Sequence, residues 1–130
     1  MLGLCSAAYE VDFAPLMEAF HEPVHLLAYD SGVLVSHALW VTRWLQPGGL
    51  PPLRTAFVEA VATAPMRQGE GIGTALMREV NHAIATYDLG GLCPAQPGLY
   101  ERAGWEHWQG PLSIRLPAGG LLPTPQGRIM

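Results

Sequence analysis

The chain has 130 residues, a formal net charge of −4 and no lysine, and 14% of its residues are charged, against about a quarter in an average soluble domain. Hydrophobic residues make up 49%, and the 15 Gly and 12 Pro follow no collagen-like period, so disordered and fibrous readings fail. The seven basic residues form no cluster, which argues against a nucleic-acid partner.

The length suits a single domain over residues 1–130 with a sizeable core. The N-terminal stretch lacks a basic start, and Glu10 and Asp12 interrupt its apolar residues, so it does not read as a signal peptide. No run approaches the roughly 18 apolar residues of a membrane span. A cytoplasmic protein with no membrane partner is therefore expected. Cys5 and Cys93 have no CxxC or Cys/His ligand spacing, and both read as reduced structural residues.

In chain order, residues 12–20 predict a short helix with Asp12 as N-cap. Residues 25–29 read as a strand, Asp30-Ser31-Gly32 as a turn, and residues 33–45 as a longer strand completing a hairpin. Gln46-Pro47-Gly48-Gly49-Leu50-Pro51-Pro52 can sustain neither period and is a loop. Residues 53–63 form a third strand. Strict alternation would put Phe57, Glu59, Val61 and Thr63 on one face, and Ala56, Val58, Ala60 and Ala62 on the other.

A loop over residues 64–71 follows. Ile72, Leu76, Val80, Ala83, Ile84 and Tyr87 then form one apolar stripe, predicting a helix over 72–87. Asp88-Leu89-Gly90-Gly91 should end it, leaving Leu92-Cys93 as a brief strand. Pro97 can open a helical turn that runs to Ala103, with Gly104 as the stop. Residues 105–108 and 112–116 read as a hairpin across Gln109-Gly110-Pro111, and residues 117–130 as an irregular tail. This order predicts a mixed sheet flanked by helices.

The segment richest in chemistry is Gln68-Gly69-Glu70-Gly71-Ile72-Gly73-Thr74, between a strand and an amphipathic helix. Glycines let backbone approach a ligand, and a helix start offers free N–H groups and a positive dipole end, a combination suited to phosphate. It is neither a Walker loop, since no GKS or GKT follows, nor the dinucleotide fingerprint, since Thr74 holds the sixth position. Taken alone, the glycines could equally serve a turn.

Gln-x-x-Gly-x-Gly after a strand and opening a helix resembles the acetyl-CoA pyrophosphate loop of the GNAT N-acetyltransferase superfamily. Leu99-Tyr100-Glu101-Arg102-Ala103-Gly104-Trp105 is similar to its LYxxxGF segment. Val58-Glu59-Ala60-Val61-Ala62, with Gly104-Trp105 and Trp108-Gln109-Gly110-Pro111, resembles the aminoglycoside 2′-N-acetyltransferase branch. The resemblance implies the GNAT acyl-CoA N-acyltransferase α/β fold, a central mixed and largely antiparallel sheet flanked by helices. Here both ends are shortened, with residues 1–24 an abbreviated N-terminal segment. It implies acetyl-CoA as co-substrate and a primary amine of a small molecule, aminoglycoside-like in that branch, as acceptor.

By position, the resemblance gives the Val61 and Thr63 backbone to the pantetheine arm. It gives Gly69, Gly71, Gly73 and Thr74 to the pyrophosphate, with Gln68 at the loop entrance. Glu59 becomes the candidate base and Tyr100 the acid for the leaving thiolate. A carboxylate in an apolar strand breaks the local pattern, and partial burial would lift its pKa towards the working range. Against these stand an edge Glu paired with a surface Arg, and a Tyr that merely packs its helix.

The remaining polar residues point less sharply. His37 reads as a hydrogen-bonded core histidine, and His21, His25, His82 and His107 as exposed or edge residues without metal-ligand spacing, so no metal is expected. Trp40, Trp44, Trp105 and Trp108 suit core packing or the wall of an aromatic cleft. Many superfamily members carry an Asn near the position of Cys93, and none stands there in this chain. A missing terminal strand would leave an edge that a second subunit could cover as a homodimer. Two readings remain beside the enzyme: a catalytically silent acyl-CoA-binding or regulatory module, and an interaction domain whose glycines serve only turns.

Overall fold

Ser31 and Gly32 both take positive φ, 50° and 79°, the left-handed pair that a two-residue hairpin demands. In the computed structural model, which describes residues 1–124 and 129–130, this turn joins β1 (Val24–Asp30) to β2 (Val33–Leu45). β3 (Leu53–Thr63) pairs antiparallel with β2, and β4 (Leu89–Leu92) pairs parallel with β3, giving the order β1-β2-β3-β4. The helices are α1 (Leu2–Tyr9), α2 (Ala14–Glu18), α3 (Ile72–Ala83) and α4 (Pro97–Arg102). A short hairpin of β5 (Ser113–Arg115) and β6 (Leu121–Pro123) stands apart from the main sheet. The architecture is the expected mixed α/β arrangement, a mostly antiparallel sheet flanked by helices.

Both faces of the sheet are covered. On one, Ala38, Trp40, Ala56 and Val58 bury against Leu76, Met77, Val80 and Ile84 of α3 and the residue that follows it. On the other, Leu39, Val41, Phe57, Ala60 and Ala62 bury against Cys5 and Phe13, with Leu4 and Ala8 of α1 at the margin. Among the described residues no helix is long and apolar enough to cross a membrane.

Several expectations are corrected. The N-terminal segment holds an additional helix, α1. The short helix is Ala14–Glu18, with Asp12 accepting from the Ala14 N–H at 3.1 Å. α3 stops at Ala83 rather than Tyr87. Gly90 and Gly91 belong to β4 rather than to a turn, because ring carbons of Trp105 and Phe57 lie where their β-carbons would go. Trp105–Trp108 forms no strand with residues 112–116. Instead the Trp108 N–H donates to Ile129 at 2.7 Å, and Met130 exchanges bonds of 2.8 and 2.9 Å with Leu92 along the free edge of β4. The tail is therefore not irregular throughout, since it contains β6 and a buried Met130; residues 125–128 lie outside the described residues.

The alternation expected for β3 breaks in the middle. His37 pairs with Ala62 but Leu39 with Glu59, so Ala38 alone faces the two residues Ala60 and Val61. Ala60 takes φ +52°. This is a β-bulge, an extra residue that reverses the facing of everything beyond it. Glu59 stays on the α1 face near Phe57, whereas Val61 packs with the α3-side core and Thr63 lies against Gly73 of α3. The four residues do not share one face.

Gly90 gives the packing a direct test. An added β-carbon would sit 2.8 Å from Trp105 Cη2 and 3.0 Å from Ile84 Cδ1. Gly90→Ala should lower stability by about 1–3 kcal/mol through overpacking, read as a lower urea midpoint; an unchanged midpoint would contradict this packing.

Candidate active site at the splayed edge of β3

Pairing between β3 and β4 covers only Thr55–Val58 against Leu89–Leu92. Pro94 follows shortly after, lacks an N–H and cannot extend the ladder, and the chain turns off into α4. From Glu59 onward β3 has no partner from β4, so its backbone groups on that side face a gap between two splayed strands.

The glycine loop lies at the far end of this gap. Gly69 and Gly71 take φ of +83° and +81°, and a β-carbon on either would meet nothing within 4 Å. The cradle is open. Gly71 is the N-cap of α3 and no side chain caps that end. The helix's first bond is Ala75 N–H to the Gly71 carbonyl at 3.0 Å, which leaves the N–H groups of Ile72, Gly73 and Thr74 without intrahelical partners. Such a cluster fits a phosphate-bearing ligand. Gln68 donates through Nε2 to the Thr63 carbonyl at 3.2 Å, and Arg67 pairs with Glu70 at 2.7 Å and Asp30 at 3.0 Å. Arg67 thus ties the loop to the β1–β2 turn.

Gly73 faces α4: a β-carbon there would lie 2.8 Å from Leu99 Cδ1 and 3.3 Å from Thr63 Oγ1. The next residue is Tyr100, which packs at the margin of the α3-side core. Burial raises the Tyr100 pKa, and the Glu59 charge adds to the rise, keeping the phenol protonated at neutral pH. Asn81 of α3 braces α4, donating to the Ala103 carbonyl at 2.9 Å and accepting from Trp105 Nε1 at 2.8 Å.

Glu59 is half-buried, its side chain 29% exposed, and Arg43 contacts it at 3.2 Å while stacking over the Phe57 ring at 4.2 Å. Burial raises the Glu59 pKa and the Arg43 charge offsets only part of that rise. The carboxylate is therefore ion-paired, as one sequence alternative had it, and burial holds its pKa above the usual value. Glu59 lies on the α1 face of the sheet, while Tyr100 packs against the α3-side core within reach of the Glu59 charge.

Sequence reasoning missed Tyr9. Its hydroxyl donates to the Val61 carbonyl at 2.8 Å, and burial together with Tyr100, Cys5 and Glu59 raises its pKa. No pattern marked it, because α1 has neither a side-chain cap nor a clean apolar stripe. Cys93, expected to be structural, is exposed. Burial of part of the thiol and the Glu59 charge raise its pKa, so it carries little thiolate. Glu59 and Cys93 open onto a cleft of about 1450 Å³ walled in part by Trp44, Trp105 and Trp108, while Trp40 is core. Among the described residues no group of three or more His, Cys, Asp or Glu could hold a metal ion.

The fold thus sets a splayed sheet beside an open, glycine-rich helix start. Residues 2–108 match the family model described as acetyltransferase (GNAT) domain, and the chain belongs to that family. It is 36% identical over 116 residues to an aminoglycoside 2′-N-acetyltransferase of Mycolicibacterium fortuitum, a match covering 86% of this chain and 59% of that protein. Among solved structures, a GCN5-related N-acetyltransferase from Anabaena variabilis superposes with TM-score 0.72 at 21% identity, covering 81% of this chain and 28% of the other. Eis1 from Mycobacterium abscessus superposes with TM-score 0.68 at 23% identity, covering 77% and 27%. The chain thus spans 59% of the length of the first relative and about a quarter of these two structures.

Gly73→Ala would meet the free end of the Leu99 side chain at 2.8 Å, so that side chain should rotate aside at a cost of about 1 kcal/mol, read by chemical denaturation; a loss of several kcal/mol would contradict a movable Leu99.

Proposed function

We propose that the chain is an acetyl-CoA-dependent N-acetyltransferase acting on a primary amine of a small molecule. The observation that carries the reading is the edge of β3 that β4 leaves unpaired from Glu59 to Thr63, where side chains of Tyr9 and Gln68 meet the Val61 and Thr63 carbonyls, running towards the open N–H cradle of Gly69–Thr74. The backbone of Val61 and Thr63 would hold the pantetheine arm along that edge. Gly69, Gly71, Gly73 and Thr74 would hold the pyrophosphate, with Gln68 fixed at the entrance by its bond to Thr63.

Bound acetyl-CoA supplies an activated thioester carbonyl and a thiolate leaving group. Glu59 takes a proton from the substrate ammonium through a water, leaving a neutral amine free to attack. As the new C–N bond forms and the C–S bond breaks, the Tyr100 hydroxyl would give its proton to the departing sulfur, and the proton shed by the amide nitrogen would restore the phenol; its raised pKa suits it to remain an acid until then. The acceptor would lie in the cleft that Glu59 borders. Two Arg and two Glu, Arg43, Arg115, Glu59 and Glu106, line it beside the three tryptophans. That lining favours an amine with an apolar ring over a polycation, although the relative from M. fortuitum is named for aminoglycosides.

Acetyl-CoA should raise the melting temperature of the full chain, because a ligand bound only by the folded state stabilises it. Release of free thiol should follow when ring-bearing monoamines, polyamines or aminoglycosides are added. No thermal shift at millimolar acetyl-CoA would defeat the reading. A shift without turnover across the amines would favour the silent acyl-CoA-binding module. Glu59→Gln and Tyr100→Phe should each lower kcat by about 10²- to 10⁴-fold with little change in acetyl-CoA affinity, and parental turnover would remove the residue from its role.

The pH profile tests Glu59 separately. The base works only when deprotonated, so the rate falls as pH drops through its raised pKa. Arg43 holds that pKa down, so Arg43→Gln should move the acidic limb to higher pH by about one unit. A limb that stayed put or moved down would contradict the pairing.

A further inference from the structure

His37 is fully buried on β2 between the two functional halves of β3. Its Nδ1 lies 2.9 Å from the Ala60 carbonyl and its Nε2 lies 2.9 Å from His25 Nδ1. A carbonyl oxygen only accepts, so Nδ1 must carry the proton, and in the neutral ring Nε2 must then accept from the His25 Nδ1–H. The Cys5 sulfur, 3.4 Å from the same Nδ1, can serve only as a second and weaker acceptor. Burial lowers the His37 pKa, the hydrogen bond to Ala60 offsets part of that, and His25 and the Met1 ammonium add to the lowering, in keeping with a neutral ring.

The bonded carbonyl belongs to the bulged residue. Ala60 is left-handed without being glycine, a conformation that persists only where its surroundings over-determine it. The bulge removes Ala60 from the β2–β3 ladder, so its carbonyl needs a substitute donor, and a buried ring N–H reaching across the register break provides one. The facing of Val61 and Thr63 towards α3, opposite to that of Glu59, depends on that bulge.

We infer that His37 is a positioning residue for the transfer reaction: its Nδ1–H holds the bulged Ala60 carbonyl and thereby fixes Glu59 relative to the Val61–Thr63 edge. The inference rests on the acetyltransferase reading of this site. It assigns His37 no contact with substrate and no proton-transfer step.

The test compares His37→Leu, which lacks the donor, with His37→Asn, whose amide N–H can stand near the place of Nδ1–H. Long-range ¹H–¹⁵N spectra of the parent should show His37 protonated at Nδ1 alone at neutral pH. His37→Leu should lower kcat by about 10- to 100-fold, as small misplacements of a reacting group do, and weaken acetyl-CoA binding. It should also move the acidic limb set by Glu59, around which Arg43, Tyr9, Tyr100 and Cys93 are the titratable or charged neighbours. His37→Asn should recover most of each loss. A purely packing role predicts lower stability but parental kcat, affinity and pH profile in folded His37→Leu, and that result would overturn the inference. If His37→Leu does not fold, an Nδ1 without a proton, or a folded His37→Asn as impaired as predicted for Leu, overturns it instead. A parent that binds no acetyl-CoA defeats the acetyltransferase reading, while the tautomer spectrum still reports on the bond to Ala60.

Discussion

Ala60 sets the geometry on which the site depends. A strand without a bulge sends alternate side chains to opposite faces for its whole length, so Glu59, Val61 and Thr63 would all have faced α1. One left-handed residue at φ +52° breaks that parity. Glu59 keeps the company of Arg43 and Phe57, while Val61 and Thr63 turn towards α3 and the glycine loop. The carboxylate proposed as base and the edge proposed for a cofactor arm can then occupy one short stretch of chain without crowding each other. The bulge also lies where β4 has already parted from β3, so the change of facing occurs at a free edge.

The rest of the packing keeps that edge open and its neighbours fixed. The α3 helix presents its uncapped N-terminus to the gap while Leu76, Met77, Val80 and Ile84 anchor the following turns in the core. Close contact between Gly73 and Leu99 sets the separation of α3 and α4, and Asn81 ties the far end of α4 through Ala103 and Trp105. Tyr100 is therefore held by contacts on both sides of it in sequence. Arg67 closes the loop side with two carboxylates; both pairs are exposed, so they contribute orientation more than stability.

Much of this was legible in the residues. A run of Val, Leu and Trp marked β2 to the residue, β3 was bounded between two Gly/Pro-bearing loops, and the glycine loop before an amphipathic stripe marked the start of α3. The bulge was not legible, because Ala60 is neither Gly nor Asn and its partner His37 stands 23 positions away. Gly90 and Gly91 misled for a related reason. Their role is to admit the rings of Trp105 and Phe57, which a local reading cannot distinguish from a turn. α1 went unread because Leu2–Tyr9 forms its helix against the sheet rather than through caps or periodicity, and Tyr9 went with it. The C-terminal hairpin was displaced because Gly119-Gly120, not Gln109-Gly110, supplies its turn.

The central claim is that an acyl-CoA lies along the free edge of β3 with its pyrophosphate on the glycine loop. Backbone amide spectra recorded during an acetyl-CoA titration test it most directly. The account predicts saturable shifts at Gly69, Gly71, Gly73, Thr74, Val61 and Thr63, with the outer edge of β1 unmoved. Saturable shifts confined to other surfaces, or none at these residues, would contradict it.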